Sequence, residues 1–433
     1  IAFAAHDAGA CLASARPGPT RAMPRTFALK PVAAASSSAL CAAGTRAAPA
    51  TGGGSFADIV NDITIAEWKT GDETSPVLAI GILGGKGTRS ILNRGSVDAR
   101  ATASVDAFEP TLDLPAGEDR TDTLSVSATA VGIRGGSANP SIDNRGVISA
   151  TADASVDKVA VTLTLVGTAQ ATTTASIAAK AIGIEGGGAV SNDGTVTAMA
   201  RSAATSVDVE IGTDTGADFT AKTSVQADAI GLGGSGSGSI ANRGSVTASA
   251  NASLTRVGVT VTAIETAHAT TSTAIEATAV GLDGSGSSEG GKGHEGGKTL
   301  DSGGSVDTGK SHGGLITNDG TVLAQATASS ADVGVSVSAL NLATVNGPTT
   351  LDADATGIRA GRSTERIVND GSVTANADAE LTKVGVTARF IDFSIVDRGP
   401  NDASTTLTAH AVGVDARDAQ RGVDIGGTGS VTA

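Results

Sequence analysis

Apolar and polar residues alternate with a period of two along much of the chain. Single small or hydroxyl residues separate Val159, Val161, Leu163 and Leu165, and likewise Val257, Val259, Val261 and Ala263. Val333, Val335, Val337 and Ala339 repeat the pattern. Such alternation is the mark of a strand with one buried face. Val, Ile and Thr favour strands, Pro is nearly missing from these runs, and Gly and Asn-x-Gly stops supply the turns between them. The abundant Ala favours helix, but no stretch sustains an i, i+3, i+4 apolar stripe. The pattern predicts an all-β chain.

The strands come in a repeat. One marker reads Asn-x-Gly-x-Val/Ile and begins at Asn93, Asn144, Asn192, Asn242, Asn318 and Asn369, with a degenerate copy at Gly427–Val431. A second marker is a glycine before Ile, Leu or Val: Gly81, Gly132, Gly183, Gly231, Gly281, Gly357 and Gly413. Both recur about every fifty residues, and both skip the same long interval. Two markers with one beat define about seven repeats. Stacked alternating units of this kind form a β-solenoid, each coil hydrogen-bonded to the next. One Asn per repeat would then stack into an amide ladder that satisfies turn groups. Fifty residues fit either two coils of about 25 or one flattened coil, and three chains sharing a core fit as well. A propeller fits less well, because blade signatures such as Trp-Asp are missing.

The glycine turn, the Ile-x-Asn-x-Gly-x-Val segment and the Ala-x-Ala tract over residues 79–433 resemble the repeats of bacterial autotransporter passengers and filamentous-haemagglutinin-type adhesins. The resemblance implies a right-handed β-helix, secreted or held at the cell surface, whose partner is a surface protein or glycan. It also implies a C-terminal translocator barrel, expected beyond residue 433, where the sequence stops inside a repeat. Aromatic residues are scarcer than in many such passengers.

Composition sharpens the picture. There are 58 Gly among 433 residues but only 7 Phe, 1 Trp and 0 Tyr, so the core must be thin and filled by Ala and Val. The balance of 30 Lys+Arg against 44 Asp+Glu, net −14, disfavours nucleic acid and anionic lipid. No apolar run approaches the roughly 20 residues of a membrane-spanning helix. The chain starts at Ile1, and Met23 is the better start, which sets residues 1–22 outside the protein. Residues 23–50 read as a secretory signal peptide: Arg25 and Lys30 precede an Ala/Ser/Leu stretch, and Ala48-Pro49-Ala50 fits a small-x-small cleavage site. Residues 51–78 are then a cap or linker. Both cysteines, Cys11 and Cys41, lie in the prefix, so the part expected to be exported has no thiol to trap.

Several motifs match catalytic or binding patterns without the context those patterns need. Gly304 to Ser311 fits GxxxxGK[ST], but Gly-rich sequence surrounds it and no strand and helix frame a nucleotide. Asp214-Thr-Gly and Asp307-Thr-Gly resemble aspartic-protease turns but lie in different repeats. The glycine runs at 84–89 and 233–238 resemble a calcium nonapeptide, yet Arg89 and Gly238 stand where the liganding Asp belongs. The long interval holds a Gly-rich insertion, residues 285–314, where His294, His312, Glu289, Glu295 and Asp301 lack the tight spacing of a closed zinc site. The reading is therefore no catalytic residue, no cofactor, no metal and no nucleotide. The expected function is structural or adhesive presentation of a long repetitive face. Two alternatives remain. A carbohydrate-active β-helix enzyme would need aromatic platforms, and the repeats offer only Phe108, Phe219, Phe390 and Phe393. An ice-binding solenoid would need an unbroken Thr array. At the position of Thr197 the other repeats carry Asp98, Ser149, Thr247, Leu323, Thr374 and Thr432, so Asp98 and Leu323 break it.

Overall fold

In the computed structural model each repeat is one flattened coil of three strands, and all sheets are parallel. The structure describes residues 55–59, 63–65 and 74–433, apart from 114–118, 165–169, 213–217, 263–267, 286–313, 339–343, 390–404 and short gaps at 86, 137–139, 187, 235–237, 347, 362–363 and 427. A central coil shows the plan. Ala189–Asn192 enters a short sheet, Thr195–Gly212 runs the length of a front sheet, and Asp218–Gly233 returns along a back sheet. The next coil repeats this with Ser239–Asn242, Ser245–Thr262 and His268–Asp283. No helix occurs among the described residues, and the stack is a right-handed β-helix. The choice between one coil and two is settled: front-sheet partners such as Thr197 and Thr247 are a whole repeat apart in sequence.

Two cores result from this shape. Between the front and back sheets lies a slab faced by alanine, including Ala150, Ala152, Ala198, Ala200, Ala248 and Ala250 against Ala179, Ala181, Ala227 and Ala229. At one end the short sheet closes a prism filled by Ile142, Ile148, Ile184, Val190, Val196 and Ile240. The back strand serves both. Ala181 packs in the slab and Ile184 in the prism, three positions apart, so the two-residue alternation changes phase between them. Gly183 sits at that change of phase. A Cβ there would lie 2.2 Å from a Val196 methyl and 2.6 Å from the Gly231 carbonyl oxygen. The two sequence markers share one beat because they touch: the valine of one covers the bare face of the glycine of the other. The same contact joins Gly81 to Val97, Gly132 to Ile148, Gly231 to Val246, Gly281 to Val322, Gly357 to Val373 and Gly413 to Val431.

Strands at Ser55–Ile59 and Ile63–Ile65 extend the short and front sheets, and the first back strand starts at Thr74, so pairing begins ahead of residue 79. The insertion falls between Asp283 and Gly314, where a back strand passes to a short one, and the ladder resumes in register with Ile240 opposite Ile316 and Asn242 opposite Asn318. Residues 286–313 themselves are outside the described set. In the last coil the spacing assigns the Asn position to Gly427, but Ile425 is what pairs with Asn369. Val431 keeps its expected place opposite Val373.

Candidate functional site

The Asn positions form one continuous buried ladder. Each amide Nδ2 donates to the next Oδ1: Asn93 to Asn144, Asn144 to Asn192, Asn192 to Asn242, Asn242 to Asn318 and Asn318 to Asn369, all at 2.7–2.8 Å. The Oδ1 atoms of Asn93, Asn144 and Asn192 also accept from the Gly amide two residues on, at 3.2–3.3 Å. That glycine cannot be larger, since a Cβ on Gly194 would sit 2.0 Å from the Gly146 carbonyl oxygen. These residues face inward and hold the stack together. The side chains open to solvent are therefore those of the outer faces.

On the front sheet, register places Asp98, Ser149, Thr197, Thr247, Leu323, Thr374 and Thr432 in one column. A neighbouring column holds Ser96, Val147, Thr195, Ser245, Thr321, Ser372 and Ser430. The hydroxyl array is thus real but interrupted at the positions the sequence gives. Farther along this face is an open recess of about 180 Å³ beside Ser253, Ser329 and Glu380. It lies where Ser330 replaces the Leu254 and Leu381 of the adjoining rungs.

The outer back sheet carries a charged strip that the sequence reading missed. Gln226, Glu276 and Asp352 form one column, and Lys180, Asp228, Thr278, Asp354 and His410 the next. Burial raises the Glu276 carboxyl to about 7, with Asp228, Asp352 and Asp354 adding repulsion. Burial also raises Asp228, against the pull of Lys180, a Gln226 hydrogen bond and Arg359. Asp352 rises through burial and Asp354, opposed by His410. His410 Nδ1 lies 3.4 Å from Asp354. At the strip's edge Arg359 lies 3.8 Å from Asp283. A hydrogen bond from Arg417 to Asp415 at 2.6 Å holds that carboxyl below its usual range. Chemically the strip gathers carboxyls whose protonated forms burial favours, Glu276 above all. Among the described residues no group of His, Cys, Asp and Glu is arranged to hold a metal ion. A usable signal was present in the sequence: Lys180, Asp228, Asp354 and His410 all stand three residues before a marker glycine.

The phosphate-loop match, both Asp-Thr-Gly turns and the histidines and acids of the insertion fall outside the described residues, as do Phe390, Phe393 and residues 1–54. Phe108 and Phe219 lie on strands, at the distal ends of the front and back sheets. No protein-family model, curated protein or solved structure matches the chain.

Proposed function

We propose that the chain is a secreted, surface-exposed solenoid that presents two broad repetitive faces to a protein or glycan and carries out no chemical step. One observation supports this above the rest. Outward residues stack in register over strands of 16 to 18 residues, so each face lines up one side chain per rung at about 4.8 Å along the axis. Such a lattice suits many weak contacts acting together. The signal-like prefix, the lack of thiols after residue 50 and the resemblance to autotransporter and haemagglutinin-type repeats favour export to a cell surface. A translocator barrel encoded downstream is the secretion partner this reading expects.

The test has two arms. Protease applied to intact producing cells should release solenoid fragments, with a mature N-terminus near Thr51. Beads coated with the purified protein should then adhere to immobilised matrix proteins or glycans more than bare beads do. A chain that stays inside intact cells, or steady sugar release from polysaccharides, overturns the reading.

A further inference from the structure

The variable residue of each Asn-x-Gly corner makes a column of its own. Backbone bonds of 2.8 Å run from the amides of Arg145, Asp193, Arg243, Asp319 and Asp370 to the carbonyls of Asn93, Asn144, Asn192, Asn242 and Asn318. Arg94, Arg145, Asp193, Arg243, Asp319 and Asp370 therefore stand on six successive rungs, and all six are exposed. At about 4.8 Å per rung they form a ridge about 24 Å long. Read along the axis, the charges are plus, plus, minus, plus, minus, minus. Reversed end for end, the series inverts every sign.

We propose that this ridge is a docking surface for a second copy of the chain, laid antiparallel about a two-fold axis that lies in the interface. Arg94 then faces Asp370 of the opposite copy, Arg145 faces Asp319, and Asp193 faces Arg243. The two-fold repeats all three pairs, giving the self-complementary patch that an isologous contact requires. No other arrangement sets all six residues against opposite charges. Parallel copies set each residue against its own sign. An antiparallel slip of one rung brings Arg145 against Arg243 and Asp193 against Asp193.

Bonds within one chain do not prevent this. Arg145 lies 2.9 Å from Asp143, and Arg243 lies 3.3 Å from Asp193 and 3.8 Å from Asp319. Exposed pairs of this kind are weak and can be shared with a neighbour. The ridge is flanked by its own glycines and by Ser96, Val147, Thr195, Ser245, Thr321 and Ser372, all short enough to leave room for the longer charged side chains to meet. The inference does not depend on the adhesive reading above.

Sedimentation of the purified chain should show a dimer at low ionic strength that dissociates towards 1 M NaCl, where the screening length falls to about 3 Å. Two half-reversed variants test the geometry. One is Arg94→Asp with Arg145→Asp; the other is Asp319→Arg with Asp370→Arg. Each alone should self-associate at least about tenfold more weakly than the parent, because like charges now meet. Mixed in equal amounts they are complementary at all six positions, and association should return. Circular dichroism checks that each is folded, and a misfolded variant would not be rescued by its counterpart. A parent that stays monomeric at low salt, variants that associate as the parent does, or a mixture no tighter than its components overturns the proposal.

Discussion

The slab and the prism are lined by the same continuous strands, yet they hold opposite kinds of core. In the slab Ala179, Ala227 and Ala277 stack rung on rung opposite Ala152, Ala200 and Ala250, and the sheets meet with little side chain between them. In the prism three sheets surround a wider space, filled by Ile142, Ile184, Ile240, Ile316 and their neighbours. The first region has no room to gain atoms, and the second has none to lose. Small residues are thus no weakness in this chain: they set the sheet separation, and the large ones set the cross-section of the corner.

Substitutions can break that comparison. Ile240 is fully buried in the prism, and Ile240→Ala should cost about 4 kcal/mol through lost burial and a cavity the three sheets cannot close. Ile240→Leu should cost less than about 1.5 kcal/mol, since volume is kept. In the slab the order is inverted. Ala227 is fully buried, and Ala227→Leu, harmless by composition, should cost about 3 kcal/mol by overpacking. Guanidinium melts followed by far-UV circular dichroism measure all three. Similar losses for Ile240→Leu and Ala227→Leu would erase the distinction between the regions.

The prism's polar corner gives a smaller effect. Asn242→Ala removes both amide bonds of 2.8 Å and leaves Asn192 a donor and Asn318 an acceptor without their ladder partner. A loss of about 2 kcal/mol is expected, and the same melts decide it.

The smallest effect lies on the outer slab wall. Glu276 rises to about 7 in the folded chain, above its ordinary value near 4.5. Its contribution is therefore fully present below pH 4.5 and is lost as pH rises through 7. The melting midpoint should fall between pH 5 and pH 8, and Glu276→Gln should flatten that slope. An unchanged slope in the variant would place the titration elsewhere. Asp415 works in the opposite sense, losing its Arg417 bond only in strong acid.

Much of this was legible in the sequence, for physical reasons. Asn93 through Asn369 could be read because a stacked amide must recur at the same place in every rung. The marker glycines could be read for the same reason, although their contact with Val97, Ile148 and Val196 could not, since sequence does not say which faces meet. Coil size was hidden because alternation has the same period whether a strand runs 8 residues or 18. The acids at Asp228, Glu276 and Asp352 escaped because they change type from rung to rung. Their one trace in the sequence is a fixed distance before the marker glycine, three residues for Asp228 and five for Glu276 and Asp352, and register shows them as neighbours. Ile425 departed from the spacing because the last corner carries two additional residues before Val431.

Cysteine pairs test the single flattened coil most directly, because no cysteine occurs after residue 50. With Cys11 and Cys41 replaced by Ser, Thr197→Cys with Thr247→Cys puts thiols on adjacent rungs of the front sheet. Neighbouring strands lie about 4.8 Å apart, within the Cα separation a disulfide accepts. Thr197→Cys with Lys222→Cys instead places them a half-repeat apart, on the front and back sheets. Mild oxidation should close the 197–247 pair within one chain and leave the 197–222 pair reduced. Closure of the 197–222 pair, with 197–247 staying open, would mean coils of about 25 residues and contradict the fold described.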